Sequence, residues 1–230
     1  MLAAWSGFFA YLWLSGKVLL YLGPRTSWVV TFGAITLSAT TVAYSALSSG
    51  DGERGVSRGE ALGLASMLAP ILVVMMLSNA SLGALAASQK LSARGVDLDS
   101  LAEALAKDAA PLTFVEVKAA SDSPEEAAKL DIRPGQQVSL TGFVMQAADS
   151  ASGEFHLGRF YITCCVADAI PVWVPIYPTI AKGEFSKDTW LTVNGAIAER
   201  NGKLVVDAEQ IERISQPSQP YLPWPTSAAS

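Results

Sequence analysis

Two cysteines stand side by side at positions 164 and 165, at the end of the β-like run "RFYITCC", and the chain has no others. Such a pair can ligate a soft metal ion, cycle between dithiol and disulfide, or fill a small space in a core. Adjacent side chains on a regular strand point to opposite faces, so the two thiols converge only where the strand breaks. The stretch "CCVADAIP" offers such a break, and Asp168 within it is the nearest carboxylate. Cys164, Cys165 and Asp168 are therefore the candidate metal or ligand contacts.

His156 is the only histidine and lies eight residues before Cys164. On a straight strand that separation is roughly 26 Å, so the two residues could share a metal only if the strand folds back near Gly158. The chain has no CxxC and no His-x-His pattern, so its spacing gives a weak zinc signal. A disulfide between adjacent cysteines would be strained and would close a minimal loop. Structural thiols, a metal or ligand contact, and redox chemistry all stay open, with no cofactor assigned.

The elements that must position these residues are strands. From residue 137 onward the apolar pattern has a period of two, which indicates β structure. Five short strands in fewer than 90 residues predict a small five-stranded barrel of the OB type. Gly142 and Gly195 lie inside strands, where glycine often marks a bend. The five predicted strands are "QVSLTGFVMQA", "EFHLGRFYITCC", "VWVPIYP", "TWLTVNGAIAE" and "KLVVDAEQIERI".

The N-terminal part has a different composition. Apolar segments cover residues 2–22, 28–47 and 61–77, and each approaches the roughly 20 residues that span a bilayer core. Residues 1–94 carry six basic and three acidic side chains, whereas residues 95–230 carry 10 basic and 18 acidic ones. The fold class predicted is therefore three N-terminal transmembrane helices followed by a small OB-like β-barrel with short flanking helices.

Four domains follow from these patterns. Residues 1–80 form a transmembrane helical region, and residues 81–110 a linker with a short amphipathic helix at 97–108. Residues 111–216 form the OB-like barrel domain, and residues 217–230 a proline-rich tail. Within the third region "LTFVEVKAA" is predicted as a strand, and "SPEEAAKL" as a helix with Ser123 as its N-cap and Pro124 at its first position. A chain that starts at about Val96 is expected to be soluble.

An OB-like barrel often binds nucleic acid, but the net charge of −8 over residues 95–230 argues against a phosphate-binding surface. Six aromatic residues could form a stacking platform, although the core and rim of a barrel use the same residues: Phe155, Phe160, Tyr161, Trp173, Tyr177 and Trp190. The chain has no nucleophile-elbow motif and no phosphate-binding glycine loop. We therefore expect neither a nucleic-acid partner nor an enzyme.

The stretch "GRFYITCCVADAIPVWV" resembles the Arg-x-x-Ile-Thr-Cys-Cys-x-Ala-Asp-Ala signature of the YcgQ-like bacterial membrane proteins. The pieces "SGKVLLYLGPR", "VSLTGFV", "DTWLTVNGAI" and "QPYL" are also similar to that family. Members commonly have a longer, often histidine-rich gap between the second and third spans, whereas this chain has only "SSGDGERGVSRGE". The signature positions are Arg159, Thr163, Cys164, Cys165, Ala167, Asp168 and Ala169.

The resemblance implies a non-enzymatic accessory subunit of a multi-span permease, with a link to metal homeostasis and zinc as the candidate ion. It also implies a multi-pass protein of the bacterial cell membrane. Basic residues near the spans number four to two in favour of a cytoplasmic barrel, whereas the family's usual orientation places the barrel on the extracytoplasmic side, which we adopt. The alternative partner is a second copy of the chain. The alternative function is a membrane-tethered redox or metal-dependent enzyme that uses the two cysteines.

Overall fold

The computed structural model describes residues 2–47, 57–76, 82–91, 112–146, 153–179 and 185–223. The chain forms two compact units, Met1–Ser81 and Leu82–Ser230. The helix predicted at 97–108 lies outside the described residues, as does the end of the tail after residue 223.

The N-terminal unit contains the helices α1 (Leu2–Leu14), α2 (Trp28–Leu47) and α3 (Arg58–Met76). Among the described residues, only α2 is long and apolar enough to cross a membrane. Helix α1 has 13 residues, about 20 Å at 1.5 Å per residue, because the chain turns at Gly16, where φ is 70°. The apolar part of α3, Leu62–Met76, is also short. Of the three spanning helices predicted, one described helix, α2, has the required length and composition.

Helices α1 and α2 contact each other through the hydroxyl groups of Ser6 and Ser38, whose Oγ atoms are 2.6 Å apart. Phe8 and Leu12 of α1 form a small buried cluster with Ile71 of α3. The rest of the surface is unusually apolar, since the side chains of α2 and α3 are largely exposed. This unit therefore has a small core and a large apolar exterior.

The second unit is built on a six-stranded mixed sheet with flanking helices. Its order is β1-β4-β5-β3-β2-β6, and β1 also pairs with β2. The β3–β5 and β2–β6 pairs are parallel and the others antiparallel. All five β-like runs of the sequence form strands, which confirms that prediction, and a short sixth strand comes from the predicted tail. The strands are β1 (Gln137–Gln146), β2 (Phe155–Ile162), β3 (Ile170–Pro178), β4 (Trp190–Arg200), β5 (Lys203–Arg213) and β6 (Tyr221–Pro223).

Three helices flank this sheet: α4 (Ala84–Leu91), α5 (Phe114–Asp122) and α6 (Pro124–Lys129). The prediction of a strand over "LTFVEVKAA" is wrong, because these residues form α5. A capping box starts that helix, in which the Thr113 N–H donates to the Glu116 carboxylate at 2.7 Å. Val115 and Val117 are both fully buried. Part of the predicted linker is also ordered, as α4.

Two apolar clusters stabilise the second unit. The larger contains Leu157 and Tyr161 of β2, together with Val115 of α5. The other, which we name the α4 cluster, involves Phe160 and Ile162, on the opposite face of β2 as strand alternation requires. The α4 cluster consists of Ala84, Ala87, Phe143, Met145, Phe160, Ile162, Ala169, Trp190 and Tyr221. This face of β2 is thus covered by α4 and by the C-terminal strand β6.

Glycine permits a close approach of neighbouring strands at two predicted positions. A Cβ atom at Gly142 would overlap the carbonyl oxygen of Gly158, and one at Gly195 would overlap that of Asp207. The pairing of β4 with β5 shifts register between Asn194 and Gly195, which identifies a bulge. Gly195 therefore marks the irregularity that the sequence predicted there.

The N-cap predicted at Ser123 is confirmed, since the Ser123 side chain accepts from the Glu126 N–H at the start of α6. We expect Ser123→Ala to lower the free energy of unfolding by about 1 kcal/mol, because one helix N–H loses its acceptor. Ser123→Asp is the matched control and should keep most of the stability. Urea unfolding of both variants checks this, and equal losses in the two would contradict it.

Candidate functional site

The cysteines lie in a turn between two strands rather than within a strand. Strand β2 ends at Ile162 and β3 begins at Ile170, and a 3-10 turn occupies Val166–Asp168. The break brings the two Sγ atoms to 3.6 Å. Neither cysteine is in a disulfide; Cys164 is exposed and Cys165 half-buried. Neither lies in a buried apolar cluster of the described residues, so the turn presents the thiols instead of using them to fill a core.

Asp168 holds this turn together through its carboxylate. Its Oδ1 atom accepts from the Thr163 N–H at 3.0 Å, and its Oδ2 atom accepts from the N–H groups of Cys164 at 2.7 Å and Cys165 at 3.4 Å. Hydrogen bonds to a charged acceptor are stronger than those between neutral groups. The carboxylate therefore fixes the backbone that carries both thiols.

The same three side chains converge as a candidate ligand set. One ligand atom each from Cys164, Cys165 and Asp168 lies within 4.8 Å of the other two. Two thiolates on one zinc ion, each with a bond of about 2.3 Å in a tetrahedral arrangement, lie about 3.8 Å apart. The observed 3.6 Å between the Sγ atoms fits that requirement closely. The carboxylate would have to move closer, and a fourth position would stay open.

The electrostatics of the turn favour neutral thiols while no cation is bound. The hydrogen bond to Asp168, together with that to Cys165, raises the pKa of Cys164 to about 12. Burial acts to raise the pKa of Asp168, but the hydrogen bonds from Cys164 and from three backbone N–H groups outweigh it and hold the pKa below its usual value. A bound cation would reverse the penalty on the thiolates, because its charge attracts both thiolate and carboxylate.

His156 does not join this set. Strand β2 runs without a fold through Gly158, which pairs with Phe143 on one side and Trp173 on the other. The His156 ring stacks on Trp173 with centroids 4.1 Å apart, and its Nε2 atom lies 3.6 Å from a Glu154 carboxylate oxygen. Burial lowers the pKa of His156, and the nearby Glu154 opposes this only in part.

Arg159 has a role that the sequence did not reveal. Its guanidinium group donates to the carbonyl oxygen of Pro220 at 3.2 Å and to that of Gln219. It also lies over the Trp190 ring, 5.6 Å from the centroid. The signature arginine thus fastens the C-terminal segment beside β2, at the strand that leads to the cysteines.

The other signature residues support the turn. Thr163 supplies a backbone N–H to Asp168, and Ala169 is only 2% exposed within the α4 cluster. Ala167 lies inside the 3-10 turn between Val166 and Asp168. These three positions, with Cys164, Cys165 and Asp168, therefore belong to the turn or to the packing directly around it.

The six aromatic residues considered as a stacking platform are not presented together. Phe155, Phe160, Tyr161 and Trp190 are buried. Trp173 has Lys118 over its ring at 4.7 Å as well as His156, and Tyr177 has Arg200 over its ring at 4.6 Å. The expectation of no nucleic-acid partner was based on charge and stays a prediction.

A concavity lies between α5, α6 and the turn that joins β4 to β5, with a volume of about 550 Å³. Its lining mixes the acidic residues Asp131 and Glu199 with the basic residues Arg133 and Lys203. It contains none of the candidate ligand or signature residues, and its mixed charge selects no class of ligand.

The capping role of Asp168 leads to a prediction about stability. We expect Asp168→Asn to lower the free energy of unfolding by about 1 kcal/mol at neutral pH, since the amide cannot accept all three backbone hydrogen bonds. The pKa of this carboxyl is depressed in the folded state, so its contribution is complete above the unfolded value and is lost as the pH falls through the folded one. Urea unfolding at neutral pH and below pH 4 measures the difference between wild type and variant.

Glu209→Gln is a matched control, because that carboxylate is exposed on β5. It should change stability little at either pH. A difference for Asp168→Asn that stays constant between neutral pH and pH 2 would contradict the capping role.

Comparison with known proteins gives one family match. Residues 129–222 match the model described as the DUF1980 C-terminal domain. No curated protein matches the chain. A solved structure, the N-terminal domain of PriB protein from Thermoanaerobacter tencongensis, is similar at 17% identity, with a TM-score of 0.25, over 35% of this chain and 97% of that one. The domain match runs from the last residue of α6 into β6. The YcgQ-like and permease parts of the resemblance stay hypotheses.

Proposed function

We propose that this protein is a membrane-anchored accessory subunit that presents a soft metal ion, zinc in the first instance, to a multi-span permease partner. The observation that carries the proposal is the convergence of Cys164, Cys165 and Asp168 in one exposed turn, with ligand atoms within 4.8 Å of one another. The proposal assigns no catalytic residue, and the protein acts by binding and transfer.

The donor set favours this class of ion. Thiolate sulfur selects soft or borderline ions such as zinc and disfavours magnesium and calcium, which prefer oxygen ligands. A structural zinc site is closed by four protein ligands, whereas this turn supplies three donors and leaves one position open. An open position on an exposed turn allows a partner to take over the ion by adding its own ligand.

The strand pairing supports a rigid platform for the turn. Among the five long strands, each pairs with two others of the five, and the β1–β2 pairing returns the order β1-β4-β5-β3-β2 to its start. We read this ring as the OB-like barrel that the sequence predicted. A closed ring leaves no long edge strand free for aggregation. The turn between β2 and β3 is thus held at the end of a stable scaffold.

The N-terminal unit supports the membrane anchor. A core helix of a soluble protein would be buried, yet only Val30 of α2 is buried in the described structure. Trp28, Phe32 and Ile35 are each about 60% exposed on that helix. Lipid would cover such a surface. On this proposal α1 and α3 pack beside α2, the bundle contacts a larger permease in the bacterial cell membrane, and the second unit faces the extracytoplasmic side.

A redox enzyme is the alternative, since two thiol sulfur atoms 3.6 Å apart are close enough to react with each other. The pKa of Cys164 works against it, because a thiol with a pKa of about 12 is almost entirely protonated at neutral pH. Metal binding is consistent with the same geometry and does not need a reactive thiolate before the ion arrives.

Zinc titration of the full chain in mild detergent tests the proposal. We expect one ion per chain and a loss of about 100-fold or more in affinity when Cys164→Ser and Cys165→Ser are combined, because both sulfur donors are lost. His156→Gln is the matched control, since it removes the only histidine without touching the turn, and its affinity should equal that of wild type. Equal affinities in the wild type and the double variant would overturn the proposal.

The membrane part has its own test. After alkaline carbonate washing of membranes, we expect the chain to stay in the membrane fraction, since α2 would be held by apolar contact rather than by charge. Protease added to intact cells should reach the second unit if it is extracytoplasmic. Recovery of the chain in the aqueous fraction would contradict the anchor.

A further inference from the structure

The Cys-Cys-Asp turn shares its packing with helix α4. Ala169, at the end of the turn, is 2% exposed and belongs to the α4 cluster, and Val166 packs against the same cluster. Ala84 and Ala87 of α4 lie in it at 5% and 1% exposure. The turn and the helix thus pack on the same buried apolar cluster.

Two hydrogen bonds fix the start of α4 on this surface. The Ala84 N–H donates to Asp188 Oδ1 at 2.6 Å, and the Leu82 N–H donates to the Tyr221 hydroxyl at 2.9 Å. Both satisfy backbone groups at a helix N-terminus that would otherwise lack partners. The segment from Leu82 is also the first described part of the chain after the N-terminal unit.

The C-terminal strand joins the turn to this docked helix. Tyr221 and Pro223 of β6 pair with Phe160 and Ile162 of β2, directly before the cysteines. The Tyr221 ring also meets the Phe160 ring edge to face, with centroids 6.4 Å apart. The hydroxyl that accepts from Leu82 therefore belongs to Tyr221 of β6, which is paired with β2, the strand that leads into the turn.

We propose that occupancy of the Cys164–Cys165–Asp168 site and docking of α4 are coupled. A bound ion stabilises the docked helix, and loosening the helix lowers the affinity of the site for the ion. This inference rests on the proposed function, because it concerns the regulation of the same site. On this proposal, ion binding changes how tightly α4 is docked, in addition to changing the turn itself.

The physical basis is the order that an ion imposes on the turn. The three ligand atoms lie within 4.8 Å of one another, whereas donors on one tetrahedral zinc ion lie about 3.5 to 3.8 Å apart. On this proposal the ion links both sulfur atoms to the Asp168 carboxylate, which already holds the backbone of the turn, and the added links hold Val166 and Ala169 more tightly. A turn that is already ordered makes helix docking less costly in entropy. The coupling must then act equally in both directions.

The experiment uses the full chain in mild detergent and zinc as the probe. Tyr221→Phe removes the hydroxyl that holds Leu82 but keeps the ring, and Ala87→Glu places a charge at a fully buried contact of the helix. We expect each to weaken zinc binding by about fivefold or more. Tyr177→Phe is the matched control, since that hydroxyl donates to Glu154 on another part of the sheet, and its zinc affinity should equal that of wild type.

Hydrogen exchange supplies the reciprocal measurement. In the wild-type chain, saturating zinc should slow exchange of the α4 amides by a similar factor, and exchange of the β4 and β5 amides shows whether Ala87→Glu still folds. If zinc binds the wild type, Tyr221→Phe and Tyr177→Phe equally and leaves α4 exchange unchanged, the coupling is overturned while the proposed function stands. If zinc does not bind the wild type, both fail, and the titration alone shows it.

Discussion

Gly195→Ala should lower the free energy of unfolding by about 3 kcal/mol. The added Cβ would overlap the carbonyl oxygen of Asp207 on β5, so one of the two paired strands must shift. The residue lies at the bulge in the most extensive antiparallel pairing of the sheet, which runs from Leu191–Arg213 to Arg200–Lys203. Urea unfolding of the full chain in mild detergent, followed by tryptophan fluorescence, measures the change.

Gly202→Asn is the matched control for this prediction. Gly202 also lies in a β4–β5 position that glycine favours, with φ of 76°, but nothing lies within 4 Å of the place where its Cβ would be. Asparagine tolerates left-handed backbone, so the control should change stability by less than about 1 kcal/mol. Similar losses in the two variants would show that the overlap with Asp207 is not the cause.

Arg159→Leu should release the C-terminal strand and lower the free energy of unfolding by about 2 to 3 kcal/mol. The change removes charge-assisted hydrogen bonds to the carbonyl oxygens of Gln219 and Pro220, each of which is worth roughly 1.5 kcal/mol or more. Exchange of the Tyr221 amide should rise far more than exchange of the β4 amides.

Two other variants define what Arg159 does. Arg159→Lys should restore only part of the loss, because an ammonium group cannot reach two carbonyl oxygens with the fixed fork of a guanidinium group. Arg133→Leu replaces an arginine whose side chain is 77% exposed and should have little effect. If Arg159→Lys were as stable as wild type, the positive charge alone would explain the effect of Arg159, and the geometry of its guanidinium group would not matter.

The strands could be predicted because alternation is a local property of the chain. Burial alternates along most of β3 and β4, although β2 is buried at six of its eight positions, and the turns between the runs carry polar residues. The error over "LTFVEVKAA" has a physical reason. Val115 and Val117 favour strands by propensity, yet the capping box of Thr113 and Glu116 starts a helix, and burial against the sheet stabilises it.

The site could be predicted only as a set of residue types. The break after Ile162 was visible in "CCVADAIP", and Asp168 lies in that turn near both cysteines, while its role as a ligand stays a prediction. The docking of α4 could not be predicted, because the Leu82 and Ala84 N–H groups find their acceptors on Tyr221 and Asp188, more than 100 positions away. The sequence likewise assigned no partner to Arg159, since its acceptors are backbone carbonyls of the tail.

The cover that α4 provides decides where this chain can be cut. A fragment that begins near Val96, which the sequence suggested as soluble, would lack Ala84 and Ala87 and uncover Phe143 and Phe160 beneath them. A newly exposed apolar patch of this kind causes self-association. Recombinant production of the second unit should therefore begin at or before residue 82, and the shorter fragment should aggregate on concentration.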